Sequence, residues 1–238
     1  YTMESNRKKL VVLTGAGVSA ESGLRTFRDM NGLWEEYKVE DVASPEGWHR
    51  NPELVLRFYN ERRRQLQNAK PNAGHTGLAE LERCYDITII TQNVDNLHEQ
   101  AGSTKVLHLH GMLTKVRSSV DERLVYDIGY KDINLGDRCE KGSQLRPHIV
   151  WFGEAVPAMD LAIDIASEAD IFVVLGTSLN VYPAASLYRY IPTHAPLYVI
   201  DPSNDVTVSS KGNRVTYIRE KASVGVLQLM EILLKECQ

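Results

Sequence analysis

The sequence predicts an α/β protein: a parallel β-sheet covered by helices on both faces, with a smaller module inserted into it. Three observations lead there. Short apolar segments rich in Val, Ile and Leu alternate with helical patterns, and near-continuous apolar strands are those buried on both faces of a parallel sheet. Two of these segments run straight into glycine turns, Gly15-Ala16-Gly17 and Gly176-Thr177-Ser178. Two other stretches, 28 to about 67 and 115 to about 146, interrupt the alternation with helical, loop-like or polar sequence.

Taken in order, residues 8–13 pass from charge into a β-rich apolar run and form the first strand. Asn51-Pro52-Glu53 opens a helix with an N-cap, a proline at the first helical position and an acid in the first turn. Helical spacing follows at 76–84, and Ile87, Ile89 and Ile90 place a second strand over Asp86–Thr91. Helical patterns cover 94–101 and 159–169, and 124–126 is a short β-like fragment. Ile171–Leu175, Leu197–Ile200 and Val215–Ile218 are further strands, and a last helix covers 223–234. Ligands of such sheets bind beyond the carboxyl ends of the strands. The loops 14–20, 91–96, 108–111, 176–180 and 201–204 are therefore expected to meet in one crevice.

Composition narrows the function. The 238 residues are 43% hydrophobic and 24% charged, ordinary for a globular chain and unlike a disordered or collagen-like one. The net charge of −4 lacks the basic footprint of non-specific nucleic-acid binding, so no nucleic-acid partner is expected. No apolar run approaches the roughly 18 residues of a membrane span, and residues 1–9 lack the apolar core of a signal peptide. Cys84, Cys139 and Cys237 are odd in number and far apart, which predicts neither a disulfide framework nor a CxxC pair. The expectation is a soluble cytoplasmic protein with no membrane partner.

Three stretches could carry chemistry. Gly15-Ala16-Gly17-Val18-Ser19-Ala20 is G-x-G-x-x-A after a strand, a pattern that lets backbone approach a pyrophosphate. The acid that a dinucleotide fold places about 20 residues on is missing, which disfavours a dehydrogenase. Thr91-Gln92-Asn93-Val94-Asp95-Asn96 offers amides and a carboxylate at a strand end. They could pair with a carboxamide, or cap the next helix, or both, since a cap uses one oxygen. His108-Leu109-His110-Gly111 places two histidines on one face of an extended segment, either of them a general base near pH 7. No spacing suggests an acyl-enzyme.

GAGVSAESGLRTFR (15–28), TQNVD (91–95), HLHG (108–111), LRPHIVWFGE (145–154) and GTSLNVYPAA (176–185) occur in the order found in sirtuins. The chain resembles that family from about residue 8 to about 234. The resemblance implies an NAD-dependent protein-lysine deacylase that releases nicotinamide and O-acyl-ADP-ribose. It implies a Rossmann-like domain over 1–28, 68–114 and 147–238, with a small module over 29–67 and 115–146. By resemblance His110 is the general base, Asn93 and Asp95 line the nicotinamide pocket, and Gln92 faces the nicotinamide ribose. Gly15, Ala16, Gly17, Ala20, Arg28, Gly176, Thr177 and Ser178 belong to the phosphate and ribose site, Phe27 shields the sugar, and Asp201 and Ala222 complete the cofactor set. Val150, Phe152, Gly153 and Glu154, with Val181 opposite, frame the acyl-lysine tunnel and pair with substrate backbone. Acyl-lysine proteins are the implied partners, and a monomer is favoured. Mono-ADP-ribosyl transfer and non-catalytic NAD or ADP-ribose binding stand as alternatives.

Three departures or special positions refine this. Sirtuins generally hold a structural zinc with two cysteine pairs, and 115–146 contains only Cys139. One thiol cannot close a structural site, so no zinc is expected, and Leu124, Tyr126, Ile128, Tyr130, Ile133 and Leu135 are expected to form a small apolar core instead. Asp201 stands where the family usually has Asn; a carboxylate accepts from ribose hydroxyls and repels a 2′-phosphate, favouring NAD over NADP, though Asp201-Pro202 also reads as a simple turn. By itself Arg62 reads as one of a solvated run, Arg62-Arg63-Arg64; with the resemblance, Tyr59 and Arg62 match the Tyr-x-x-Arg pair of sirtuins that remove acidic acyl groups, with Ala43 the small residue that widens the pocket. Guanidinium and phenol suit a carboxylate, so succinyl and malonyl are the expected groups, with acetyl removed as well.

Overall fold

The computed structural model describes residues 6–25 and 33–237. In chain order the elements are β1 (Lys9–Thr14), α1 (Ala16–Ala20), β2 (Leu33–Trp34), β3 (Tyr37–Lys38), α2 (Val39–Val42), α3 (Pro45–Arg50), α4 (Pro52–Asn68), α5 (Ala73–Leu81), β4 (Asp86–Thr91), α6 (Leu97–Gln100), β5 (Val106–His108), β6 (Gly111–Ser118), β7 (Val125–Asp127), β8 (Leu145–Ile149), α7 (Met159–Ser167) and β9 (Ile171–Leu175). A 3-10 helix (Ala184–Tyr190), β10 (Leu197–Ile200), β11 (Val215–Ile218) and α8 (Ala222–Lys235) follow.

Six strands form one parallel sheet in the order β11-β10-β9-β1-β4-β5. Successive residues of central β1 bury on opposite faces. Leu10 and Val12 join Leu78 and Leu81 of α5 and Val226, Leu229 and Leu233 of α8. Val11 and Leu13 join Ala162 and Ala166 of α7 and Leu187 of the 3-10 helix. Side chains alternate across a strand, so a sheet covered twice requires the unbroken apolar run read from the sequence. Each such buried Leu or Val contributes about 1.5–3 kcal/mol.

The second, antiparallel sheet has the order β7-β6-β8. Its core is built on α4, which begins where Asn51 Oδ1 accepts from Leu54 N–H at 3.1 Å and Pro52 takes the first helical position. Val55, Phe58, Tyr59 and Leu66 of α4 pack with Leu113 and Val116 of β6, Leu145 and Trp151. Polar ties supplement this packing. Asn60 donates to Ile133 O and accepts from Ile133 N–H, both at 2.9 Å. Buried Arg63 donates from Nε to Leu113 O at 2.7 Å. Cys139 lies buried with its thiol toward Ser118 Oγ at 3.5 Å. Among the described residues, no group of three or more His, Cys, Asp or Glu could hold a metal ion, and no helix is long and apolar enough to cross a membrane.

The structure corrects several expectations. Leu135 is 51% exposed, because it sits in the turn with Gly136 rather than in the core. The helix expected over 94–101 shrinks to α6: Asp95 Oδ1 takes Leu97 N–H, and Val94 O accepts from Leu113 N–H, which holds the preceding residues extended. β5 is an added short strand. Cys84 and Cys237 form a disulfide across 153 residues. Sequence distance misled here, because α5 and α8 pack side by side in one core and bring their carboxyl-terminal ends together.

Candidate active site

The site is set by strand register. Thr14 at the end of β1 lies opposite Thr91 of β4 and Leu175 of β9, and Thr91 lies opposite His108 of β5. The residues that follow each strand therefore leave the sheet at one level. Thr14 Oγ1 donates to Thr91 Oγ1 at 2.7 Å, and Gln92 N–H donates to Thr14 O at 3.0 Å, tying the first two turns together. The turns after β1 and β9 touch directly. Gly17 N–H donates to Gly176 O at 2.8 Å, and a Cβ on Gly17 would lie 2.8 Å from Gly176 Cα. A Cβ on Gly15 would lie 2.6 Å from Thr177 Cβ. These glycines are thus required by the contact between two turns of the protein itself.

Asn93 and Asp95 are organised by Ser19. The Ser19 hydroxyl donates to Asp95 Oδ2 at 2.6 Å, and Asn93 Nδ2 donates to Ser19 Oγ at 3.2 Å and to Gly15 O at 2.9 Å. Asp95 Oδ1 meanwhile accepts from Leu97 N–H at 3.0 Å. The carboxylate thus supports a helix start with one oxygen and faces the Ser19–Asn93 cluster with the other. Burial raises its pKa, against the lowering effect of Ser19 and the Leu97 amide.

The two histidines of the HLHG stretch divide their work. His108 Nδ1 faces Asn93 O at 3.0 Å and Nε2 faces Glu99 at 2.8 Å, so both nitrogens are committed to protein acceptors. His110 Nδ1 lies 3.2 Å from Gln92 O. A carbonyl only accepts, so Nδ1 carries hydrogen and the neutral ring presents a lone pair at Nε2. Burial lowers the His110 pKa, partly offset by that hydrogen bond. Gln92 Nε2 donates to Thr177 Oγ1 at 3.2 Å, linking the β4 and β9 turns.

A cavity of about 270 Å³ joins these groups to the small module. Gly15, Ala16, Gln92, Asn93, Asp95, His110, Thr177 and Ser178 line it, as do Val150, Phe152, Gly153, Glu154 and Val181. Ala43, Tyr59 and Arg62 line the same cavity. Arg62 is 6% exposed. Its Nε and Nη1 have no hydrogen-bond partner among the described residues, Nη2 lies 3.5 Å from Glu61, and the guanidinium carbon sits 4.7 Å from the Phe58 ring centroid. Burial lowers its pKa against the nearby carboxylates of Glu35 and Glu61. Tyr59 is fully buried and accepts from Trp151 Nε1–H at 3.1 Å.

Residues 15–183 match the Sir2 family. The chain belongs to that family. A Sir2 family relative from Bacteroides thetaiotaomicron, named NAD-dependent protein deacylase, is 54% identical over 235 residues, covering 95% of this chain and 98% of its own. One from Helicobacter pylori with the same name is 58% identical over 195 residues, 82% of this chain and 85% of its own. A crystal structure of a Sir2 homolog–NAD complex superposes with a TM-score of 0.84 at 39% identity, covering 98% of this chain and 92% of that one.

Not every candidate residue of this Sir2 family chain reaches the cavity. Gly17 and Gly176 face each other behind it. Ala20 is exposed at the end of α1, and Ala222 is buried at the start of α8. Asp201 is buried and its Oδ1 accepts from Ser203 N–H at 2.9 Å in a turn. Its strand β10 is separated from β1 by β9, so the 201–204 loop stands apart from this cavity. Phe27 and Arg28 lie outside the described residues. Sequence reasoning missed Ser19 and Trp151. Both stood inside quoted motifs, and strand–turn context could have raised Ser19, the one hydroxyl in the turn and first helix after β1.

Proposed function

We propose that the chain is an NAD-dependent protein-lysine deacylase whose pocket favours acyl groups ending in a carboxylate, succinyl and malonyl, and that also removes acetyl. The observation that carries the acyl preference is the buried Arg62 guanidinium, which lines the cavity with two nitrogens unpartnered among the described residues. Glu61 at 3.5 Å partly balances the charge, but buried N–H donors left without an acceptor cost about 1–3 kcal/mol each, and a planar carboxylate is the group best matched to a guanidinium fork. Tyr59 adds a phenol, and Ala43 leaves room.

The remaining residues fit the cofactor that the two named relatives use. A carboxamide needs an acceptor for its NH₂ and a donor for its C=O. Asn93 spends Nδ2 on Gly15 and Ser19, while its Oδ1 accepts from no described group and is free for such an NH₂. Small residues Gly15, Ala16, Thr177 and Ser178 keep the adjoining wall open. When bound, NAD supplies a nicotinamide leaving group and the ribose carbon that receives the acyl oxygen. His110 would serve as the base, accepting at Nε2 a proton from a ribose hydroxyl of the bound cofactor, with its tautomer held by Gln92 O. Val150, Phe152 and Val181 confine the lysine stem and exclude water.

The test is product mass spectrometry on matched acetyl- and succinyl-lysine peptides, with and without NAD. NAD-dependent removal of both groups, succinyl faster, is the expected result. Removal of acetyl alone would reject the acidic pocket, and no NAD-dependent product would reject the deacylase reading.

A further inference from the structure

We infer that Trp151 is a positioning residue for substrate selection: its indole N–H fixes the Tyr59 hydroxyl so that the phenolic hydrogen is reserved for the terminal carboxylate of the acyl group. This rests on the acidic-acyl reading above and deepens it.

An indole N–H can only donate. Tyr59 Oη therefore accepts from Trp151 Nε1 at 3.1 Å, and its own hydrogen goes to no acceptor among the described residues. A phenolic O–H prefers the plane of its ring, where two orientations compete. Once a donor occupies one side of the oxygen, the hydrogen is left with the other. Burial raises the Tyr59 pKa, so the group stays a neutral donor beside the Arg62 charge. Acetyl has no terminal acceptor to receive that hydrogen; succinyl and malonyl have.

Trp151 is held from two directions, as a positioning role requires. It is 2% exposed. Arg146 places its guanidinium carbon 3.6 Å from the Trp151 ring centroid, and Trp48 packs at 5.8 Å. Arg146 also binds both oxygens of Glu154, each at 3.0 Å, and Glu154 Oε1 accepts the Trp151 backbone N–H at 2.8 Å. One ion pair thus fixes the tryptophan by its ring and by its backbone. Burial pushes Glu154 up, and Arg146 together with the Trp151 amide outweighs it, holding the carboxyl below its ordinary range. Glu154, expected to meet substrate directly, has its carboxylate engaged in this support.

Trp151→Phe keeps an aromatic ring against Arg146 and Trp48 and removes the N–H together with part of the ring volume, a packing loss that acts on both peptides alike. The succinyl-to-acetyl ratio of kcat/KM is expected to fall about five- to tenfold, the worth of one hydrogen bond, with the loss carried by KM for succinyl-lysine rather than by kcat. Tyr59→Phe should reproduce that fall, and adding Trp151→Phe to it should lower the ratio no further. Equal losses on both peptides, or full additivity of the two substitutions, would reduce Trp151 to packing. Should Trp151→Phe fail to fold, Tyr59→Phe alone decides: an unchanged ratio overturns the inference. Arg62→Met separates the two readings. If it abolishes succinyl preference while Trp151→Phe leaves the ratio intact, only this inference fails; if neither moves the ratio, the acidic-acyl reading fails with it.

Discussion

The Ser19 hydroxyl donates to Asp95 Oδ2 at 2.6 Å while accepting from Asn93 Nδ2 at 3.2 Å. One side chain from the first turn of the sheet therefore sets two side chains from the β4 turn. Ser19 itself is buried on α1, a five-residue helix placed by the contact of Gly17 with Gly176. The orientation of the proposed carboxamide site is thus inherited from the packing of two strand-end turns.

Ser19→Ala should leave the fold intact and lower kcat/KM on acetyl- and succinyl-lysine peptides alike. A hydrogen bond to a carboxylate contributes about 1.5–3 kcal/mol, so a loss of about 10- to 100-fold is expected. Steady-state kinetics on both peptides checks it, and unchanged kcat/KM would remove Ser19 from the account.

The strands were legible in the sequence because a doubly covered parallel sheet demands unbroken runs of Val, Ile and Leu, which β1 and β9 supply. The glycine turns and HLHG lay next to those runs, so the crevice could be located too. Other features were not local. The disulfide depends on α5 meeting α8, and the Trp151–Tyr59 bond joins residues 92 apart. Arg62 and Arg63 are adjacent in a basic run, yet one points to the cavity and the other binds Leu113 O. Only the packing of α4 against β6 tells them apart.

Asn60→Ala should destabilise the small module. Its side chain serves both the N–H and the C=O of Ile133, and Asn60 is itself buried. Leaving such groups unsatisfied costs about 1–3 kcal/mol each, so a loss of about 2–6 kcal/mol is expected by urea denaturation. Hydrogen exchange should quicken first in 111–149. Wild-type stability in the variant would show that the apolar contacts suffice alone.

Stability should fall as pH is lowered from about 6.5 toward 4. Burial holds the His75 pKa down at about 4, with Nδ1 accepting from Asn72 N–H at 3.1 Å. The unfolded chain takes up the proton near pH 6.5 and the folded chain resists until about 4, so the unfolded state gains about 1.4 kcal/mol per pH unit across that window. His75→Gln keeps an acceptor at the third helical position and removes the titration. Its stability should decline less steeply between pH 6.5 and 5, with buried His98 and half-buried His148 leaving a residual slope. Identical slopes would contradict this.

The central claim is that Arg62 and Tyr59 select a carboxylate, and the most direct measurement is the succinyl-to-acetyl ratio of kcat/KM in wild type and Arg62→Met. A charge-assisted pair of about 1.5–3 kcal/mol should make that ratio collapse about 10- to 100-fold in the variant, with acetyl turnover much less affected. A ratio that is unchanged by the substitution would contradict the account.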